Sequence, residues 1–286
     1  MDLLIYGFCA TALVSFVTTK GVHDVIIKDP SPDGVQEIML PMCRNFLPYN
    51  MTKLPNQFGH LTQVEVYRHI EHQWAYMDYG CSNNFRLFVC ALYLPKYEAE
   101  NKPTIGPCKE TCNRARSRCK GPMKQTKSRW PKKFKCGKLP SRKGKEECLR
   151  PIRENKRQNA HVYCSENDIP VCRKFNTFGS LPNFFMQRNI REITTEMRFY
   201  DNLIASGCNE HLAFFLCGTY MPFCVHNITP FSNPCRELCE QVKTDCSSHF
   251  AYIYRGLPWP NKLQCHRYVN STNTQRHCSM PGDDDF

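Results

Sequence analysis

The stretch CSNNFRLFVCALYLP, residues 81–95, returns later in the chain as CNEHLAFFLCGTYMP, residues 208–222. In both stretches two cysteines lie nine residues apart, and the second is followed by Tyr-x-Pro. Downstream of each, the motifs Pro-Cys-x3-Cys-x6-Cys and Trp-Pro-x4-Cys follow in the same order. Matched spacings over this length indicate a duplicated domain. We therefore predict one copy over residues 35–150 and a second over residues 161–280.

The spacing of apolar residues and cysteines within each copy predicts helices. Cysteine or alanine falls at offsets 0, 4, 7 and 11 from Cys108, and cysteine or valine falls at the same offsets from Cys235, which traces one helical face. An apolar stripe from Tyr67 to Met77 has helical spacing too, and a further helix is expected to begin near Ser82 as its N-cap. We predict a mainly α, disulfide-rich fold, in which disulfides supplement a modest core.

The cysteine content and the N-terminus indicate a secreted, extracellular protein. The chain has 19 cysteines, a density that suits an oxidising compartment. Residues 3–17 form an apolar run of signal-peptide length, so we predict a signal peptide over residues 1–20, with an uncleaved signal anchor as the alternative. Cleavage would remove Cys9 and leave an even number of cysteines. We expect no membrane span in the mature chain, which ends in an acidic tail, residues 281–286.

The two copies differ by one pair of cysteines. The positions in the first copy that match Cys164 and Cys224 are about Val35 and Tyr97. A free thiol is a liability in a secreted domain, so the joint absence of both cysteines indicates that Cys164 pairs with Cys224. The first domain would then lack one staple, and we expect it to unfold more readily than the second.

Taken together, these motifs resemble the Frizzled cysteine-rich domain, and the stretch Tyr49-Asn-Met-Thr-Lys-Leu-Pro-Asn56 strengthens the likeness of the first copy. The resemblance implies two tandem Frizzled-like cysteine-rich helical domains with short strands, and it implies a pairing of the cysteines. In the first copy the implied bridges are Cys43–Cys90, Cys81–Cys119, Cys108–Cys148 and Cys112–Cys136. In the second copy they are Cys164–Cys224, Cys172–Cys217, Cys208–Cys246, Cys235–Cys278 and Cys239–Cys265.

The resemblance implies a protein that binds lipidated Wnt-type ligands and sequesters or modulates them, as an antagonist in the simplest case. The family takes up the fatty-acyl chain of the Wnt in a groove. The candidate groove residues are Gln73, Trp74, Leu92, Tyr93, Tyr200 and Tyr220. The alternative is that the tryptophan, the leucine and the tyrosines are core residues. Gln73, and Asp201 at the position of Trp74, favour two other functions, an extracellular lipid carrier or a heparan-sulfate-binding matrix or adhesion protein.

The positive charge of the chain is concentrated in one segment. The formal net charge is +12, and residues 109–157 hold 19 Lys and Arg against four Glu. A positive field of this kind attracts polyanions. The polyanions available to a secreted protein are sulfated glycans, so we predict heparan sulfate binding. The alternative is a solvated segment without a partner, and the signal peptide and cysteines argue against nucleic acid. The candidate contacts are Lys132, Lys133, Lys135, Arg142, Lys143 and Lys145. A basic linker, residues 151–160, follows, and its Lys156-Arg157 pair raises a processing site as a weaker hypothesis.

Glycosylation is predicted, and catalysis is not. Three Asn-x-Ser/Thr sequons mark glycan sites at Asn50, Asn227 and Asn270. The sequence has no G-x-S-x-G, no H-E-x-x-H and no glycine-rich phosphate loop, so we predict a binding protein, not an enzyme, and expect no cofactor. The Cys-x3-Cys pairs are open to a metal-binding interpretation, but each cysteine has a place in the disulfide pattern, so we expect no metal site.

Overall fold

The computed structural model of the protein describes residues 30–154, 162–225, 228–273 and 275–282. The predicted signal peptide, Cys9, Lys156-Arg157, the Asn227 sequon and most of the acidic tail lie outside the described residues. The description falls into a first domain, residues 30–154, and a second domain, residues 162–282.

Short strands and four helices build the first domain. Its elements are β1 (Val35–Glu37), β2 (Met51–Lys53), α1 (Gln63–Ile70), α2 (Trp74–Asp78), α3 (Asn83–Tyr93) and α4 (Lys109–Gln125). β1 and β2 pair antiparallel, with Val35 opposite Lys53. The predicted apolar stripe from Tyr67 to Met77 is buried at each turn, but it is divided between α1, a 3-10 turn (Glu71–Gln73) and α2 instead of one continuous helix.

The second domain repeats this plan and extends its strands. Its elements are β3 (Tyr163–Glu166), β4 (Phe178–Leu181), α5 (Ile190–Met197), α6 (Asp201–Ala205), α7 (Leu212–Tyr220), β5 (Phe223–Val225), β6 (Ile228–Pro234), α8 (Arg236–Ile253) and β7 (Cys278–Ser279). The strands are ordered β3-β4-β5-β6-β7, and β6 and β7 are the parallel pair. Cys164 lies opposite Ser180, which is the register of Val35 and Lys53 in the first domain. The fold is therefore duplicated down to the register of its first hairpin.

Nine disulfides are present in the described residues, four within the first domain and five within the second. Their pairs are those that the resemblance implies. In the first domain they are Cys43–Cys90, Cys81–Cys119, Cys108–Cys148 and Cys112–Cys136. In the second they are Cys164–Cys224, Cys172–Cys217, Cys208–Cys246, Cys235–Cys278 and Cys239–Cys265. The cysteines of α4 and α8 lie on the buried face that their spacing predicts. Each of these helices is thereby stapled to separate neighbouring segments.

The end of the first domain packs back onto the start of α3. Ser82 occupies the predicted N-cap position, but the hydrogen bond to the helix comes from Glu154, whose Oε1 accepts from the backbone N of Asn84 at 2.8 Å. The backbone N of Ile152 also donates to Asn84 Oδ1 at 2.9 Å. Ile152 and Glu154, which belong to the predicted basic linker, thus hydrogen-bond to the first domain, and the predicted boundary at residue 150 stays a prediction.

Candidate ligand-binding groove

An aromatic cluster lies at the C-terminal end of α3 in the first domain. The Phe58 ring stacks on Tyr93 with centroids 4.6 Å apart, and the His60 ring lies 5.7 Å from Tyr93. The loop that carries Phe58 and His60 is fixed by Asn56, whose Nδ2 donates to the Tyr93 carbonyl at 2.9 Å while its Oδ1 accepts from the backbone N of Phe58 at 3.0 Å. The buried amide of Asn56 thus sets the position of the cluster. We call Phe58, His60, Leu92 and Tyr93 the Phe58 face.

A surface cavity of about 680 Å³ adjoins the Phe58 face. Leu92 lines it, and Gln57 covers part of it by donating from Nε2 to the Leu92 carbonyl at 3.2 Å. Its other apolar walls include Pro55, Ile105, Leu139 and Pro140. Most of the Leu92 side chain is buried, and its place in an acyl-binding groove stays a prediction.

The rim of the Phe58 face is basic. The His60 and His69 rings lie 4.4 Å apart. Burial lowers the pKa of His60, and the nearby His69 and Lys133 lower it further. Burial also lowers the pKa of His72, again with a contribution from Lys133. The lowered pKa values favour neutral imidazoles for His60 and His72 at physiological pH, beside the exposed ammonium of Lys133.

The second domain carries the same framework. Asn183 Nδ2 donates to the Tyr220 carbonyl at 3.0 Å, and its Oδ1 accepts from the backbone N of Phe185 and of Gln187, both at 3.0 Å. The Phe185 and Tyr220 ring centroids lie 5.0 Å apart. The counterparts of Phe58, His60, His69, Tyr93 and Lys133 are, in that order, Phe185, Gln187, Glu196, Tyr220 and Lys262. We call these five residues of the second domain the Lys262 pocket.

Polar groups in the Lys262 pocket bond to one another. The Tyr220 hydroxyl donates to Glu196 Oε1 at 2.6 Å, and the Tyr200 hydroxyl lies 3.2 Å from that of Tyr220. The Lys262 ammonium pairs with Glu196 and lies 4.1 Å from the centroid of the Phe185 ring. Burial raises the pKa values of Tyr200 and Tyr220 well above their ordinary range, so both hydroxyls stay protonated.

The first domain fills this pocket with residues of α2. Asp78 Oδ2 accepts from Lys262 Nζ at 2.7 Å, and Asp78 Oδ1 accepts from Gln187 Nε2 at 3.0 Å. The Lys262 ammonium also lies 4.2 Å from the centroid of the Trp74 ring. Burial raises the pKa of Asp78 to about 6, with Lys262 acting in the opposite direction. The two domains therefore meet through a buried group of three charges.

A second cavity, of about 570 Å³, remains between the domains beside this contact. Its apolar walls come from Trp74 and Tyr76 on the first domain and from Phe184, Phe185 and Met186 on the second. Arg267 stands at its edge, 5.0 Å from the Phe184 ring centroid.

The structure separates the six predicted groove residues into three environments. Leu92 and Tyr93 belong to the Phe58 face. Gln73 and Trp74 are buried, and within the described residues Gln73 Oε1 and Trp74 Nε1 have no hydrogen-bond partner. Trp74 faces the contact between the domains, whereas Tyr200 and Tyr220 are fully buried within the second domain.

Two phenylalanines and a lysine escaped the sequence-based prediction. Phe58 and Phe185 follow the repeated Leu-Pro-Asn motif at the same distance, and Lys262 precedes the cysteine of the repeated Trp-Pro-x4-Cys motif, as Lys133 does in the first copy. Aligning these motifs was the signal that could have identified them.

The predicted glycan-binding residues and two of the three predicted glycosylation sites lie at the surface. Asn50 and Asn270 are exposed. All six predicted heparan sulfate contacts are exposed, namely Lys132, Lys133, Lys135, Arg142, Lys143 and Lys145. Among the described residues, no group of three or more His, Cys, Asp or Glu side chains is placed to hold a metal ion.

Comparison with known proteins identifies the fold. A family model of the Fz domain matches residues 35–143 and again residues 164–272. The chain is 37% identical to Frizzled-5 of Homo sapiens over 105 residues, which are 37% of this chain and 18% of that protein. It is 33% identical to Frizzled-10 of Gallus gallus over 122 residues, which are 43% of this chain and 21% of that protein. The chain thus spans about a fifth of the length of these relatives.

No helix in the described part of the chain is both long and apolar enough to traverse a lipid bilayer. The two matches to the Fz model cover more than half of the sequence and coincide with the two disulfide-stapled units of the structure. The chain therefore belongs to the Fz domain family and carries two tandem copies of that domain.

Proposed function

We propose that this protein binds lipidated Wnt-type ligands outside the cell and sequesters them, and so acts as an antagonist of Wnt signalling. Fz domains bind Wnt ligands, and the relatives are Frizzled proteins. The observation that carries the proposal for this chain is the Phe58 face, where the Phe58 ring stacks on Tyr93 and the neighbouring Leu92 lines a partly apolar cavity.

An acyl chain gains free energy by leaving water for such a surface. Burying apolar area is worth roughly 25 cal/mol per Å², so an acyl chain that removes about 100 Å² of apolar surface from water at the half-buried Phe58 ring and the adjacent cavity gains about 2.5 kcal/mol. Asn56 holds the loop of Phe58 in place before the ligand arrives, which lowers the entropy lost on binding. The neutral His60 beside Tyr93 adds no buried charge.

The test measures binding of an acylated Wnt and of the same Wnt without its acyl group to the whole chain. We expect acyl-dependent binding, and we expect Phe58→Ala to weaken it at least about tenfold, which corresponds to about 1.4 kcal/mol. Tyr252→Ala is the matched control, because Tyr252 is an aromatic residue that is 89% exposed on α8. Equal binding of both Wnt forms, or equal effects of the two substitutions, would contradict the proposal.

The sign of the effect on signalling needs a separate measurement. Purified protein added to cells with a Wnt-responsive reporter should lower the response to acylated Wnt. An increased response would contradict sequestration and would indicate that the protein delivers Wnt to its receptors. Binding of a free fatty acid without any binding of Wnt would instead support the extracellular lipid carrier, which the cavity between the domains favours.

Heparan sulfate is the second proposed partner. The basic segment is carried largely by the surface of α4 and the loops after it, and its six candidate contacts are exposed. Binding of sulfated glycan there would concentrate the protein at cell surfaces and matrix, where a Wnt antagonist meets its ligand.

A further inference from the structure

The Phe58 face and the Lys262 pocket are duplicated sites whose edges differ in exposure, while His60 and Tyr93 are buried like their counterparts Gln187 and Tyr220. In the first domain Phe58 is half-buried, and His69 and Lys133 are exposed. In the second domain the corresponding Phe185, Glu196 and Lys262 are 6%, 2% and 7% exposed. The edge of the framework is therefore accessible at Phe58, His69 and Lys133 in the first copy and covered in the second.

The cover comes from the chain itself. Asp78 gives both of its oxygens to the Lys262 pocket, to Lys262 and to Gln187, and Trp74 lays its ring against the same ammonium. Asp78 has alanine, Ala205, as its counterpart in the second copy, and Trp74 has Asp201. The second domain thus lacks the two side chains with which the first domain fills the pocket. The first domain therefore covers the site of the second domain by a contact that the second domain cannot make in return.

The chemistry of the pocket explains why this cover is stable. A buried ammonium is costly unless it is paired and hydrogen-bonded. Glu196 supplies one carboxylate from within the second domain, and Asp78 supplies another from the first. The buried carboxylate of Asp78 accepts hydrogen bonds from Lys262 and Gln187. Separating the domains would therefore remove these contacts from Asp78 and from its two partners in the second domain.

We propose that α2 of the first domain is an internal ligand that closes the Lys262 pocket, so that acyl groups enter the intact chain at the Phe58 face of the first domain. This inference rests on the proposed acyl-binding function and adds which copy performs it. It also predicts that opening the contact between the domains unmasks a second acyl-binding site.

The opening variant is Asp78→Lys in the full-length chain, because a second ammonium beside Lys262 repels it. The matched control is Asp168→Lys, which makes the same change of charge at an exposed position of the second domain. Asp78→Ala is a milder opening variant that adds no charge, and it serves if the lysine variant fails to fold. Each protein is titrated with a fluorescent palmitate analogue, and the number of probes bound per chain is counted.

Amine-reactive labelling followed by mass spectrometry reports closure independently of any ligand. Lys262 and Lys133 hold corresponding positions, so Lys133 is the internal reference for an open site. We expect Lys262 to be protected in the wild type and in Asp168→Lys. Its labelling should rise about tenfold or more in Asp78→Lys, because access no longer requires the domains to part.

The two readouts separate the outcomes. One probe per wild-type chain, two per Asp78→Lys chain and exposure of Lys262 in that variant alone would support the inference. Two probes on the wild type, an unchanged count in an opened variant, or wild-type labelling of Lys262 at the rate of Lys133 would overturn it. If no variant bound the probe, the proposed acyl-binding function would fail. The inference that acyl groups enter at the first domain would then fail as well. Labelling of Lys262 would still report, separately, whether the contact between the domains is closed.

Discussion

Glu154 caps helix α3 from 70 residues away in sequence, with its Oε1 accepting from the backbone N of Asn84 at 2.8 Å. The same oxygen accepts from the Ser82 hydroxyl at 2.6 Å, and Oε2 lies 3.1 Å from Arg118 Nη1. A carboxylate at the N-terminus of a helix satisfies an otherwise unpaired N–H and interacts favourably with the helix dipole. Glu154 therefore ties the last described residues of the first domain to its central helix.

Glu154→Ala should lower the free energy of unfolding of the first domain by about 1–2 kcal/mol, the usual cost of a lost N-cap. Chemical denaturation gives the free energy, and hydrogen exchange at the first turn of α3 locates the change. Glu147→Ala removes an exposed carboxylate of the first domain and is the control. Equal stability of the two variants would show that the cap contributes nothing measurable.

The missing staple of the first domain can be restored. Val35 lies opposite Lys53 as Cys164 lies opposite Ser180, and the backbone N of Tyr97 donates to the Met51 carbonyl at 3.2 Å beside the same hairpin. Val35→Cys with Tyr97→Cys should form a disulfide and stabilise the first domain by about 2–4 kcal/mol. Thermal melts with and without reductant measure the gain, and Val35→Cys alone is the control. A pair that remains as free thiols would contradict the structural equivalence of the two hairpins.

The sequence carried most of the fold because its information is local or repeated. The offsets from Cys108 and Cys235 predict the buried faces of α4 and α8, and the joint absence of cysteine near Val35 and Tyr97 predicts the Cys164–Cys224 bridge. These patterns compare positions along one element, or between two copies. Periodicity and internal alignment are sufficient to find them.

The site was harder to predict because it depends on pairs of residues that are far apart in sequence. Asp78 and Lys262 are 184 residues apart, and no repeat links them, since their counterparts Ala205 and Lys133 do not form such a pair. Trp74 was predicted as a groove residue from its motif position, but that position cannot reveal that a second domain covers it. Burial of a polar residue such as Gln187 becomes understandable only when its partners are known.

Removing the basic side chains after α4 should weaken binding to heparin. We expect the triple variant Lys132→Ala, Lys133→Ala and Lys135→Ala to elute from a heparin column at clearly lower salt than the wild type, because exposed charge contacts are screened by salt. The matched control removes three exposed cations of the second domain, Arg173, Lys174 and Lys243. Equal shifts for both triple variants would indicate a response to net charge alone, without a specific glycan surface.

The contact between the domains should respond to pH through Asp78. Burial raises its pKa to about 6 from an ordinary value of 3.8, against the opposing effect of Lys262, with Glu196 and Arg86 also facing it. Between these two values the folded chain binds more protons than the unfolded chain, so the free energy of unfolding falls as the pH rises through this window.

The wild type should therefore gain stability relative to Asp78→Ala when the pH is lowered from 7 to 5, by about 1.3 kcal/mol. The pKa of Glu196 is lowered, because Lys262 and Arg86 outweigh its burial, so its contribution is lost only at pH values below its ordinary pKa of 4.5. Denaturant titrations of both proteins at several pH values above 4.5 measure the difference, and Asp168→Ala controls for the loss of a carboxylate. A stability difference that shrinks toward pH 5 would mean that Lys262 dominates the environment of Asp78 and that acid opens the contact between the domains.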